Sequence, residues 1–234
     1  MDTFIITCEH GGNRIPARYR SLFRGQQALL DSHRGYDPGA LVMARALARS
    51  CGAPLVASTV SRLLVDLNRS VGHQQLFSAV TRDASDQTRA QIVEIYYRPY
   101  RLHVERLVTQ AVMRGDRVIH VSSHSFTAEL DGSVRDADVG LLYDPSRPGE
   151  KALSARWKQS LATLAPELRV RRNYPYAGKG DGLTTHLRRQ FTQSDYVGIE
   201  LEVNQDIVRA AGRCWTALRH VLVDSLNAAC EGLR

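Results

Sequence analysis

Residues 196–203 read YVGIELEV, and this stretch decides the fold. Tyr196, Val197, Ile199, Leu201 and Val203 make a near-continuous apolar run, the signature of a strand buried on both faces of a sheet. Side chains alternate across a strand, so Glu200 and Glu202 share one face of it. Working outward, RVIHVSS (117–123) and TFIITC (3–8) are similarly apolar. Strands are predicted at 4–8, 54–58, 63–67, 117–122, 139–143, 168–172 and 196–202. Helical periodicity fills the intervals. One helix is predicted over 38–51, with Asp37 as its N-cap, Pro38 at its first position and Gly52 just past its end. A second covers 85–113, kinked or divided at Pro99 and ended by Gly115. A third spans 149–164. The last spans 207–231, with Trp215, Leu218, Leu222 and Leu226 on one face before Gly232. Alternating strands and helices imply a layered α/β fold.

At 234 residues and 43% hydrophobic content, the chain can bury one large core, and a single domain over 1–234 is expected. Cys8, Cys51, Cys214 and Cys230 form no CxxC pair, which suits buried thiols in a reducing compartment. No apolar run nears the roughly 20 residues that span a bilayer, and the opening MDTFIITCEHGG lacks a basic leader. A soluble, cytoplasmic protein without a membrane partner is expected. The net charge of +7 brings nucleic acid into consideration. Its arginines are dispersed, however, and no nucleic-acid motif is present, so the expected partner is a small anionic molecule. The sequence leaves the oligomeric state open.

Three buried strands carry reactive polar residues where valine or leucine would serve a plain core. The first runs into Glu9, His10, Gly11 and Gly12, where glycines permit close approach of a ligand. The second delivers His124, followed by Ser125, Phe126 and Thr127. The third holds Glu200 and Glu202. A carboxylate in an apolar strand is costly unless it is paired, hydrogen-bonded or beside a metal. Two histidines at strand ends together with an in-strand glutamate favour a functional site over satisfied core residues, and His10 is a natural metal ligand. Glu202 is balanced between a structural carboxylate and a substrate contact. In VSRLLVDLNRS, Arg62, Asp66, Asn68 and Arg69 flank an apolar run; Asn and Arg suit a carboxylate clamp, with Asp66 orienting an arginine. The competing reading is a capped turn with surface arginines. NYPYAGKGDG (173–182) reads as a loop over the site, with Tyr176, Lys179 and Asp181 as substrate candidates.

The ordered set CEHGGNRIP, HRGYDPGA, SRLLVDLNRS, SSHSF, NYPYAGKGDG and GIELEVNQ resembles the N-formylglutamate amidohydrolase family over nearly the whole chain. Several pieces are also similar to zinc carboxypeptidases: DLNR to their Asn-Arg pair, HSF to their second zinc histidine, and IELE to the strand of their catalytic glutamate. The resemblance implies a three-layer α/β/α fold with a mixed, mostly parallel central sheet, of the phosphorylase/hydrolase type. It implies one zinc ion, or another divalent metal, on His10 and His124, with Glu200 as general base. It further implies Asn68 and Arg69 as a carboxylate clamp and Arg62 as a second arginine that polarises the carbonyl or holds substrate. Where the carboxypeptidases have H-x-x-E, this chain has Asn13. Asp37 is the preferred third ligand, with Glu9, Asn13 and His33 as alternatives. The implied activity is hydrolysis of an N-formyl or small N-acyl acidic amino acid. A carboxypeptidase or broader deacylase, and an inactive ligand- or RNA-binding member, are the rival readings.

Overall fold

The computed structural model describes residues 1–231, so Gly232, expected to stop the last helix, lies outside the described residues. The strands are β1 (Asp2–Cys8), β2 (Leu55–Ala57), β3 (Arg117–Phe126), β4 (Glu129–Leu130), β5 (Ser133–Val134), β6 (Val139–Leu142), β7 (Val170–Arg172) and β8 (Tyr196–Asn204). The helices are α1 (Gln27–Leu30), α2 (Ala40–Cys51), α3 (Ala79–Arg82), α4 (Asp86–Ile92), α5 (Arg98–Met113), α6 (Pro148–Leu164), α7 (Leu183–Gln190), α8 (Gln205–Arg209) and α9 (Gly212–Glu231). A six-stranded sheet has the order β2-β1-β3-β8-β6-β7, and β4 pairs with β5 in a separate hairpin. Strands β2, β1, β3 and β8 run parallel. Strand β6 is antiparallel to β8 and parallel to β7.

Helices cover both faces, as a mostly parallel sheet requires. On one face Met43 and Leu47 of α2, Trp157 and Leu161 of α6, and Leu222 and Leu226 of α9 pack against Ile6, Ile119 and Ile199. On the other, Val104 and Val108 of α5 and Leu183 and Leu187 of α7 pack against Ile5, Val118 and Tyr196. Neighbouring residues such as Ile5 and Ile6 enter opposite cores because the strand pleat alternates. Among the described residues no helix is long and apolar enough to cross a membrane.

Several expected elements differ. Residues 63–67 are not a strand: Ser61 Oγ accepts from Leu63 N and Asp66 Oδ1 from Asn68 N, side-chain bonds that hold the backbone in turns. The apolar run Leu63, Leu64 and Val65 is buried all the same, in the second core. Helix α2 begins at Ala40 with Gly39 at the N-cap, at φ 80°, so Asp37 does not cap it. The predicted 85–113 helix is divided into α4, a π-helical turn (Val93–Tyr97) and α5, which carries Pro99 in its first turn. The last helix breaks at Ala211, which adopts φ 52°, giving α8 and α9. All four cysteines are free thiols, but only Cys8 and Cys230 are buried; Cys214 is exposed.

Candidate metal centre and active site

Strands β1, β3 and β8 lie side by side and parallel, so their C-terminal ends open on one edge, where ligands of open α/β sheets bind. His10 follows β1 directly, and His124 lies near the end of β3. The loop before α2 is drawn between them: Asp37 N donates to His10 O at 2.9 Å, and Ser125 Oγ donates to Pro38 O at 2.8 Å. Asp37 thereby reaches both imidazoles, with Oδ2 at 3.4 Å from His10 Nδ1 and 2.9 Å from His124 Nδ1. One donor atom from each of His10, Asp37 and His124 lies within 4.8 Å of the others, and all three residues are buried.

The far nitrogens of both histidines are also held by carboxylates. His10 Nε2 lies 2.7 Å from Asp66 Oδ1, and His124 Nε2 lies 3.0 Å from Glu9 Oε2. With the Nε2 protons given to those carboxylates, both Nδ1 lone pairs converge on an Asp37 oxygen. Three electron-pair donors that close repel unless a cation sits among them, so the donor set fits a divalent metal such as zinc. Without a metal, a proton serves the same end. Burial opposes charge on His124, yet its bonds to Asp37 and Glu9 raise its pKa well above the usual imidazole value.

The supporting shell is saturated. Arg62 donates through Nε and Nη2 to Asp66 Oδ2 at 3.2 and 2.7 Å, and its Nη1 lies 3.4 Å from Asp37 Oδ1. Glu9, fully buried, accepts from Tyr100 Oη at 2.8 Å and Ser122 Oγ at 2.6 Å. Burial alone would raise the pKa values of Asp37, Asp66 and Glu9; neighbouring His10, His124 and Arg62 outweigh it and hold all three carboxyls well below their ordinary range.

Glu202 is the exception. It pairs in register with His124 across β3 and β8, is buried, and has an Oε2 atom with no hydrogen-bond partner among the described residues. Burial, reinforced by the negative charges of Asp37 and Glu200, pushes its pKa up to about 8 against the opposing pull of His124 and Arg62. Glu200 pairs in register with Ser122 instead, and its Oε1 accepts a hydrogen bond from Thr184 Oγ1.

Comparison with known proteins places this geometry. A family model described as N-formylglutamate amidohydrolase matches residues 2–209. The chain belongs to the N-formylglutamate amidohydrolase family. A gene product of Agrobacterium tumefaciens, of known crystal structure, is 27% identical, covers 98% of this chain and 91% of its own, and superposes with a TM-score of 0.85. An N-formylglutamate amidohydrolase from Ralstonia eutropha is 19% identical over 97% of this chain and 92% of its own, with a TM-score of 0.70. No curated protein matches the chain.

Within this amidohydrolase fold the remaining expected residues divide. Tyr176 borders the cleft, stacked under Arg135 at 4.9 Å. Asn68, Arg69 and Asp181 instead join two loops: Asn68 Oδ1 accepts from Leu183 N at 2.7 Å, Arg69 Nη1 donates to Asp181 O at 2.7 Å, and Ser70 N donates to Asp181 Oδ2 at 2.9 Å. Asp181 is thus tied to the chain, while Arg69 keeps a buried Nε without a partner among the described residues. Gly11 and Gly12, expected to permit close approach of a ligand, lie against backbone instead, and so does Gly178 of the 173–182 loop. A Cβ on Gly11 would lie 2.8 Å from Ser58 O, and one on Gly178 would lie 2.1 Å from Tyr143 N. Of the alternative third ligands, Asn13 donates to Asp31 on the surface, Glu9 braces His124, and His33 lies outside the His10–Asp37–His124 group. The roles of Asp66 and Glu9 as imidazole supports escaped the sequence reading, because the contacts join segments far apart in the chain.

Proposed function

We propose that this protein hydrolyses the amide of an N-formyl acidic amino acid such as N-formylglutamate, using one zinc or similar divalent ion held by His10, Asp37 and His124. The carrying observation is the convergence of those three donors beside Glu202, whose buried Oε2 is unpartnered. Bound there, a divalent ion supplies Lewis acidity that polarises an amide carbonyl and acidifies water. Asp66 and Glu9 fix the two imidazoles with Nδ1 turned inward. Arg62, committed to Asp66 and Asp37, is a positioning residue that keeps both carboxylates ionised. Glu202 is the proton carrier: it takes a proton from water as the carbonyl is attacked and delivers it to the departing amine. Its raised pKa suits both halves of that cycle, and Glu200, bonded to Thr184, is placed for support rather than transfer. Arg69 Nε and the half-exposed Tyr176 offer donors to substrate.

The test is formate release. Protein stripped with a chelator is expected to leave N-formyl-L-glutamate intact, and stoichiometric zinc, cobalt or manganese to restore formate and glutamate in equal amounts. Activity indifferent to chelation, or none with any of these metals, would refute the reading. Asp66→Asn probes the support of His10 separately. Loss of that carboxylate is expected to weaken zinc binding by about 10–100-fold in competition with a chromophoric chelator. Unchanged affinity would remove Asp66 from its assigned role.

A further inference from the structure

The cleft that opens from the metal centre has a volume of about 750 Å³. That falls in the roughly 300–1,000 Å³ range of clefts enclosing drug-sized ligands, more than the acyl end of a small amide occupies. Asp37, Arg62 and Asp66 line it together with His33, Arg34 and Arg82. Arg62 is neutralised by Asp37 and Asp66. Arg34 and Arg82 are exposed, and among the described residues neither guanidinium has an ion-pair partner. Positive charge is concentrated here: burial first, then Arg34, Arg209, Arg135 and Arg62, depress the pKa of His33. Glu129 and Asp131 of the β4–β5 hairpin also line the cleft, so its field is uneven and steers a carboxylate away from the hairpin, toward Arg34 and Arg82.

We propose that Arg34 and Arg82 form the subsite for the substrate's side-chain carboxylate, and that they make the enzyme selective for N-acyl amino acids with an acidic side chain. This rests on the hydrolase reading above, and it names residues that reading leaves unassigned. A guanidinium accepts a carboxylate through its planar fork, and both arginines retain free forks on the lip of the cleft. On the hydrolase reading the amide to be cleaved faces the Asp37 end of the cleft, so a carboxylate held at the lip orients the substrate along it.

The experiment compares N-formyl-L-glutamate with N-formyl-L-glutamine, which has the same shape without the distal charge. In the zinc-loaded enzyme, Arg34→Ala and Arg82→Ala are each expected to raise KM for the glutamate compound by roughly 10-fold. The glutamine compound should be affected little and kcat preserved, and Arg82→Lys should recover part of the loss. Equal losses on both compounds, or a wild-type-like preference in the double variant, would overturn the subsite. Calorimetric titration of both compounds onto the zinc-loaded protein separates this result from failure of the hydrolase reading. If wild type cleaves neither compound yet binds the glutamate form preferentially, and the double variant loses that preference, the subsite stands without the activity. Absence of any binding preference in wild type refutes the subsite whatever the turnover.

Discussion

Replacing Glu202 with glutamine is expected to lower kcat on N-formyl-L-glutamate by about 10²–10⁴-fold while zinc content remains at wild-type level. The amide matches the carboxyl in shape but cannot accept the proton, and Glu202 is not among the converging donors. Glu200→Gln is the informative partner because the two side chains share a face of β8 and differ in surroundings. Glu200 stands beside Ser122 and is bonded by Thr184; Glu202 stands beside His124 with an unpartnered oxygen. Glu200→Gln is therefore expected to cost far less in kcat. Steady-state kinetics with metal analysis of both variants decides the matter. A severe loss in Glu200→Gln with a mild one in Glu202→Gln would return the proton to the glutamate that the resemblance to carboxypeptidases favoured.

The proposed choice of Glu202 over Glu200 turns on what the sequence alone does not carry. Strand positions were legible because buried parallel strands carry long apolar runs with few competing signals, so β1 and β8 emerged nearly at their observed limits, while β3 runs four residues past its expected end and takes in His124. The same test failed at 63–67, where an equally apolar run is pinned in turns by the side chains of Ser61 and Asp66. His10, Asp37 and His124, which the fold brings together, stood out as candidates because histidines at strand ends and an aspartate in an irregular loop differ from a plain core. What each imidazole leans on was not, since Asp66 and Glu9 meet His10 and His124 only through the folded sheet. Alternation shows that Glu200 and Glu202 share a face, but register with the next strand decides which one stands beside His124. Gly11 and Gly12 beside His10 show a related ambiguity: from sequence, close approach to a ligand and close approach to the chain's own backbone look alike.

Under the proposed metal site, Asp37 is the decisive residue to replace. Asp37→Asn keeps the size of the side chain, yet it replaces the carboxylate on which both Nδ1 atoms converge with a weak neutral donor. Zinc content is expected to fall from about one ion per chain to near zero, with loss of formate release. A stability readout tests this without reference to turnover. A ligand bound only by the folded state at 100 times its dissociation constant stabilises it by about 2.7 kcal/mol, or roughly 5–11 °C in Tm for a chain of this size. Wild-type protein should show that rise when zinc is added, and Asp37→Asn should show none. Asn13→Ala should retain the full rise, because Asn13 bonds Asp31 at the surface, and His33→Ala should also retain it, because His33 stands outside the converging donors. Full zinc occupancy in Asp37→Asn together with loss in Asn13→Ala or His33→Ala would move the third ligand away from Asp37, and with it the account of why the loop before α2 is held between β1 and β3.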